Sequence, residues 1–103
     1  MNQVVIYEIT ALVDPGLIEK YEKYMRGQHI PDLLATGYFR GAKFTSSTKN
    51  RYRILYEAHN QESLNQYLEN DATRLRADFL ANFPAGIELS REIWHLVEHW
   101  QEK

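Results

Sequence analysis

Residues 3–13 read QVVIYEITALV. β-branched and aromatic side chains dominate this run, which predicts a strand. Successive side chains of a strand point to opposite faces. Val5, Tyr7, Ile9, Ala11 and Val13 therefore share one face, and all are apolar. Val4, Ile6, Glu8, Thr10 and Leu12 share the other face, which is mixed. A strand that is apolar on one side and half apolar on the other needs cover twice. Helices suit the first face, and something else must cover the second.

The segments that follow supply the helices and the rest of a sheet. Asp14-Pro15 predicts a helix start, with Asp14 as N-cap and Pro15 in the first helical position. Leu17, Ile18, Tyr21, Tyr24, Met25 and Gln28 recur at helical spacing, with Glu19, Lys20, Glu22, Lys23 and Arg26 outside. Pro31 disfavours helical geometry at Ile30, so a break or kink is expected there. A further turn ends at Gly37, a candidate left-handed C-cap. Residues 38–46 and 51–58 read as a hairpin around the polar turn Ser47-Thr48-Lys49-Asn50. Tyr52, Ile54, Tyr56 and Ala58 share one face of the second arm, and Arg53, Leu55 and Glu57 the other. Asn60 caps a second helix with Leu64, Tyr67 and Leu68 inward. Asp71 restarts it, carrying Leu75, Phe79 and Phe83 to the stop at Pro84-Ala85-Gly86. Residues 87–100 fit a helical stripe or a two-sided strand. A strand through about Val97 is preferred, because it would cover the free edge of the first strand.

The order β-α-β-β-α-β over residues 1–103, read as one domain, predicts an α+β, ferredoxin-like fold. Its four-stranded antiparallel sheet carries two helices on one face. The open face would hold Val4, Ile6, Glu8, Arg40, Arg53, Leu55 and Glu57, with Phe44 and Arg91 beside them. A second copy is the simplest cover for it, and sheet on sheet makes a dimeric α+β barrel. The arginines and glutamates among these residues are expected to pair and to set the register of that homodimer.

Four stretches carry a resemblance: Val5-Ile6-Tyr7-Glu8, HIPDLLATGYF at 29–39, Arg51-Tyr52-Arg53 with Tyr56-Glu57-Ala58, and RLRAD at 74–78. In these the chain resembles an uncharacterised family of small bacterial proteins in the dimeric α+β barrel superfamily. The resemblance implies the fold and the dimer, and no activity. Wider relatives in the superfamily, such as antibiotic-biosynthesis monooxygenases and muconolactone isomerases, act on small aromatic or cyclic molecules. That is an analogy of fold, and fold does not fix function.

Composition removes several function classes. Twelve basic residues against fourteen acidic ones give a net charge of −2, which does not suit nucleic acid. The absence of cysteine excludes disulfides, thiolate catalysis and zinc–thiolate sites. No apolar run has the length of a membrane span and no leader pattern opens the chain, so a cytoplasmic protein is expected. No phosphate loop, nucleotide fingerprint or nucleophile elbow occurs, and no cofactor is expected. His95 and His99 have metal spacing only on a helix, and no third ligand is near, so no metal is expected.

The remaining chemistry lies in histidine and tyrosine. His29 and Tyr56 are the candidate catalytic pair, an imidazole beside a phenol in an apolar pocket. Tyr7, Tyr52, Phe39 and Trp94 are candidate ligand-binding walls. The plainer alternative is that His29 bonds a helix-terminal carbonyl and the rings simply fill a wide core. Arg74-Leu75-Arg76 beside Asp78 reads by default as a solvated, ion-paired surface, and otherwise as a grip for an anion. Two functions follow. One is a protein that binds a small aromatic or cyclic organic molecule in the cleft between sheet and helices. It would either only bind that molecule or transform it without a cofactor, by proton abstraction, isomerisation or oxygenation. The other is a structural or regulatory dimer whose closed core leaves no pocket above about 300 Å³, the lower end for ligand sites.

Overall fold

The computed structural model describes residues 4–102. Gln3, the expected first strand residue, and Lys103, the last residue of the tail, lie outside them. Strands β1 (Val5–Val13), β2 (Phe39–Ser46), β3 (Arg51–Ala58) and β4 (Ile87–His95) form one antiparallel sheet in the order β2-β3-β1-β4. Two helical arms cross one face. The first contains α1 (Ile18–Tyr24) and α2 (Ile30–Ala35), and the second contains α3 (Gln61–Asn70) and α4 (Ala72–Asn82). This is the α+β, ferredoxin-like arrangement.

The alternation of β1 is realised along its whole length. Val5, Tyr7, Ile9, Ala11 and Val13 are buried beneath the helices, together with Tyr52, Ile54, Tyr56 and Ala58 of β3. Tyr7 lies between Tyr56 on one side and Ile93 on the other. The hairpin turn uses left-handed residues at Lys49 (φ 62°) and Asn50 (φ 63°). Asn60 caps α3 through its Oδ1, which accepts from the Ser63 N–H at 2.8 Å.

Three local expectations are corrected. The first concerns the start of the first arm. Pro15–Leu17 is a 3-10 turn, and the Asp14 side chain caps nothing. Instead the Asp14 N–H donates to the Gly86 carbonyl at 2.9 Å, tying the entry of β4 to the start of the helix. Gly86 sits at φ +91°, and a Cβ there would meet Leu17 Cδ1 at 2.6 Å.

The second concerns Pro31. Ile30 remains helical (φ −64°, ψ −47°), and the helix widens one turn earlier, into a π turn over Met25–His29. A proline ring crowds the carbonyl four residues back and offers it no N–H. Widening the preceding turn relieves both problems, with the Ile30 N–H donating to the Met25 carbonyl. The extra residue shifts the inward position from Gln28, which is exposed, to His29, which is buried.

The third concerns β2. A bulge between Phe39 and Gly41 reverses the alternation, so Phe44 faces the helices opposite Ile54 rather than the open face. Its ring stacks on Tyr52 with centroids 5.5 Å apart. At the far end, β4 stops at His95. The Leu96 N–H extends the pairing once more, to the Val4 carbonyl, and residues 97–102 are exposed with no regular element. No helix of the described residues is long and apolar enough to cross a membrane.

Candidate functional site

A cavity of about 250 Å³ lies between the helix-facing side of the sheet and the two arms. Tyr7 and Ile9 of β1 and Ile54 of β3 form its floor. Tyr21, Met25 and His29 line it from the first arm, and Tyr67, Arg76, Phe79 and Leu80 from the second. Leu89 and Arg91 close it from β4.

The π turn places His29 in this wall. Its ring lies 5.8 Å from Tyr24 and 5.5 Å from Phe79, centroid to centroid. Burial pushes its pKa down to about 4, aided by the Arg91 charge and opposed by Asp32 and Asp78. The imidazole is therefore neutral at pH 7, and its Nδ1 is buried without a hydrogen-bond partner. A neutral imidazole always keeps one accepting nitrogen.

Across the cavity, the Arg76 Nη2 donates to the Tyr7 hydroxyl oxygen at 2.9 Å. The Arg76 Nε is buried without an acceptor. Tyr7 also belongs to an aromatic cluster, with centroids 6.2 Å from Tyr56, 5.9 Å from Tyr67 and 6.5 Å from Phe39.

The cavity brings His29 and Tyr7 together, but it does not gather every expected residue. Tyr56 is fully buried, is not among the cavity-lining residues, and forms no hydrogen bond through its hydroxyl. Burial, then the neighbouring phenols Tyr67, Tyr21 and Tyr7, raise its pKa above the ordinary phenol value. Tyr56 therefore stays protonated. Phe39 also stands off the cavity, packed against Tyr7 and edge-on to Tyr67 at 5.0 Å. Tyr52 lies elsewhere, its hydroxyl donating to Glu22 Oε2 at 2.5 Å. Burial and that carboxylate push its pKa up to about 12. Trp94 is not a wall of the cleft. It pairs opposite Ile6 and lies half exposed on the open face, because Ile93 is the residue aligned with Tyr7.

Tyr67, Phe79, Arg76 and Arg91 are wall residues that sequence reasoning missed. Arg91 was expected on the open face, yet it pairs with Ile9 and so points to the helix side. The signal for Arg76 was present: it sits beside Leu75 and three residues before Phe79, both inward positions of α4. The open face itself carries the expected ion pairs. Arg40 Nε donates to Glu57 Oε1 at 2.6 Å, and Arg53 Nε lies 3.7 Å from Glu8 Oε2. Among the described residues no group of three or more His, Asp or Glu gathers as a metal site. His95 Nε2 instead lies 2.6 Å from Gln61 Oε1.

Residues 4–97 match a domain of unknown function, DUF4286. This chain belongs to that family. Comparison with curated proteins gives no match. Several solved structures share the fold at low identity. A conserved protein of unknown function from Bacteroides thetaiotaomicron, described as a possible oxidoreductase, is 15% identical with a TM-score of 0.72. The alignment covers 93% of this chain and 100% of that one. A putative antibiotic biosynthesis monooxygenase from Nitrosomonas europaea is 10% identical at TM-score 0.71, covering 94% of this chain and 93% of that one. SnoaB, a cofactor-independent oxygenase from Streptomyces nogalater, is 10% identical at TM-score 0.68, covering 99% and 100%. At these identities the likeness concerns the fold.

Proposed function

We propose that this chain binds a small aromatic or cyclic organic molecule in the cavity between sheet and helices, as a homodimer closed through the open sheet face. The observation that carries the reading is an aromatic cavity whose wall holds a buried, neutral and unpartnered imidazole. Buried polar atoms normally find partners, and His29 Nδ1 has none within the chain. An apolar cavity of ~150 Å³ already holds benzene, so about 250 Å³ admits one substituted ring and not a polycycle. His29 is the group placed to take a proton from such a ligand, without a cofactor. This suits proton abstraction or isomerisation, and the oxygenase among the structural neighbours supports oxygenation as a third class.

The dimer reading rests on the open face. Val4, Ile6 and Leu55 are half-buried there beside the half-exposed Trp94. Leu96, Val97 and Trp100 continue the apolar exposure into the tail. A face of this extent calls for a partner, and a two-fold copy offers the same mixture of apolar and charged residues.

The second reading is a structural or regulatory dimer with a closed aromatic core. Volume favours it, because the cavity falls just below the ~300 Å³ at which ligand sites usually begin. Wall chemistry favours a ligand. Ligand-observed NMR with benzamide, a neutral single ring, separates the two. Binding to the natural chain and its loss in a cavity-filling Leu89→Trp variant are expected. Benzamide binding that persists unchanged in Leu89→Trp, or no binding of either benzamide or benzoate, would sink the ligand reading.

A further inference from the structure

The arginines of this cavity have a property that the proposed function does not use. Arg76 and Arg74 are two residues apart on α4, but they face different surroundings. Arg74 points outward and pairs with Asp71 at 3.1 Å. Arg76 turns into the cavity, where it donates to the Tyr7 hydroxyl. Arg91 enters the same cavity from the edge strand β4. Among the described residues, neither Arg76 nor Arg91 forms an ion pair. Both arginines line the same cavity as Tyr67.

The Arg76 guanidinium is partly buried with no counter-charge, and one hydrogen bond to a phenol leaves most of its donors unused. The group carries five N–H donors in a fixed fork that matches a carboxylate. Here the Nε donor is buried and unused. The nearby acids do not fill the gap. Asp71 is taken by Arg74, while Asp32 and Asp78 act on His29 and Tyr24 and pair with neither arginine. The rest of the wall is largely apolar, so the missing charge arrives with an occupant that also carries a ring.

We infer that the ligand of this cavity is a monocyclic carboxylate, its ring against Tyr7, Tyr67 and Phe79 and its carboxylate held by Arg76 and Arg91. This rests on the cavity being a ligand site, as proposed above, and adds the charge of the ligand. Binding becomes a matter of an acid against its neutral analogue. A charge-assisted, two-point contact is roughly twice as strong as a neutral one, so the carboxylate is strongly preferred.

Titration calorimetry with benzoate and benzamide at pH 7 tests this. Benzoate is expected to bind at least tenfold more tightly than benzamide. The difference is expected to shrink severalfold in Arg76→Gln and again in Arg91→Gln. Arg91 is exposed on an edge strand, so its variant should fold normally even where Arg76→Gln is weakened. Benzamide binding as tightly as benzoate would overturn the charge assignment and leave the cavity reading standing. Benzoate affinity retained in both variants would overturn the role of the arginines. No binding of either probe would overturn both this inference and the proposed function.

Discussion

His29 enters the protein with its ring buried and its Nδ1 unpartnered, which gives it a measurable signature. Its folded pKa of about 4 lies below the ordinary imidazole value of 6.5. The unfolded chain therefore binds a proton that the folded chain refuses between these values. This contribution to stability is complete above pH 6.5 and is lost as pH falls towards 4. The shift corresponds to about 3 kcal/mol. We expect the His29 ring proton resonances to stay flat from pH 8 to about 5, and the acid-side loss of stability to diminish in His29→Phe. Titration near 6.5 in the folded protein would contradict the burial argument. Two tyrosines offer an internal contrast. The Tyr56 hydroxyl is buried and unbonded, so Tyr56→Phe is expected to leave stability unchanged or raise it by up to ~1 kcal/mol in urea melts. Tyr52→Phe removes the bond to Glu22 and is expected to cost ~1 kcal/mol or more. The sequence treated both rings alike, since residue type does not reveal whether a hydroxyl finds a partner.

At the scale of elements, the two central strands were legible and the irregularities were not. Alternation along β1 and β3 names every helix-facing residue, because a period of two leaves no ambiguity once one face is apolar. The π turn escaped because proline at 31 reads as a helix break. The chain instead widens at Met25–His29, and that single residue brings His29 inward. The bulge at Arg40 escaped for a similar reason, and it sent Phe44 to the opposite face. Glycines report these geometries. Gly86→Ala places a methyl against Leu17 at a positive φ, and a loss of ~1–3 kcal/mol is expected in urea melts. Gly27, inside the π turn, has open space around it, so Gly27→Ala is expected to stabilise by ~0.5–1 kcal/mol. A destabilised Gly27→Ala variant would mean that the widened turn needs its glycine.

Over the whole molecule, the sheet divides two tasks. Its helix side builds the cavity, and its open side carries Ile6, Leu55 and Trp94 among the pairs Glu8–Arg53 and Glu57–Arg40. The mixed, half-apolar character of the second face was readable from β1 alone. The membership of the cavity was less so, because it depends on which edge-strand residues align with Tyr7. That register sends Arg91 inward and Trp94 outward. If the charged pairs set the dimer register, Arg53→Glu places a second acid beside Glu8 and is expected to weaken self-association at least tenfold in sedimentation equilibrium. An unchanged dimer would remove these pairs from that role. The most direct test of the account is native mass spectrometry of the protein as purified from cells, which reports subunit count and retained ligand together. A dimer carrying one small organic acid per chain is expected. A bare monomer would contradict it, because the open face would then stand uncovered and the cavity arginines would have no counter-charge.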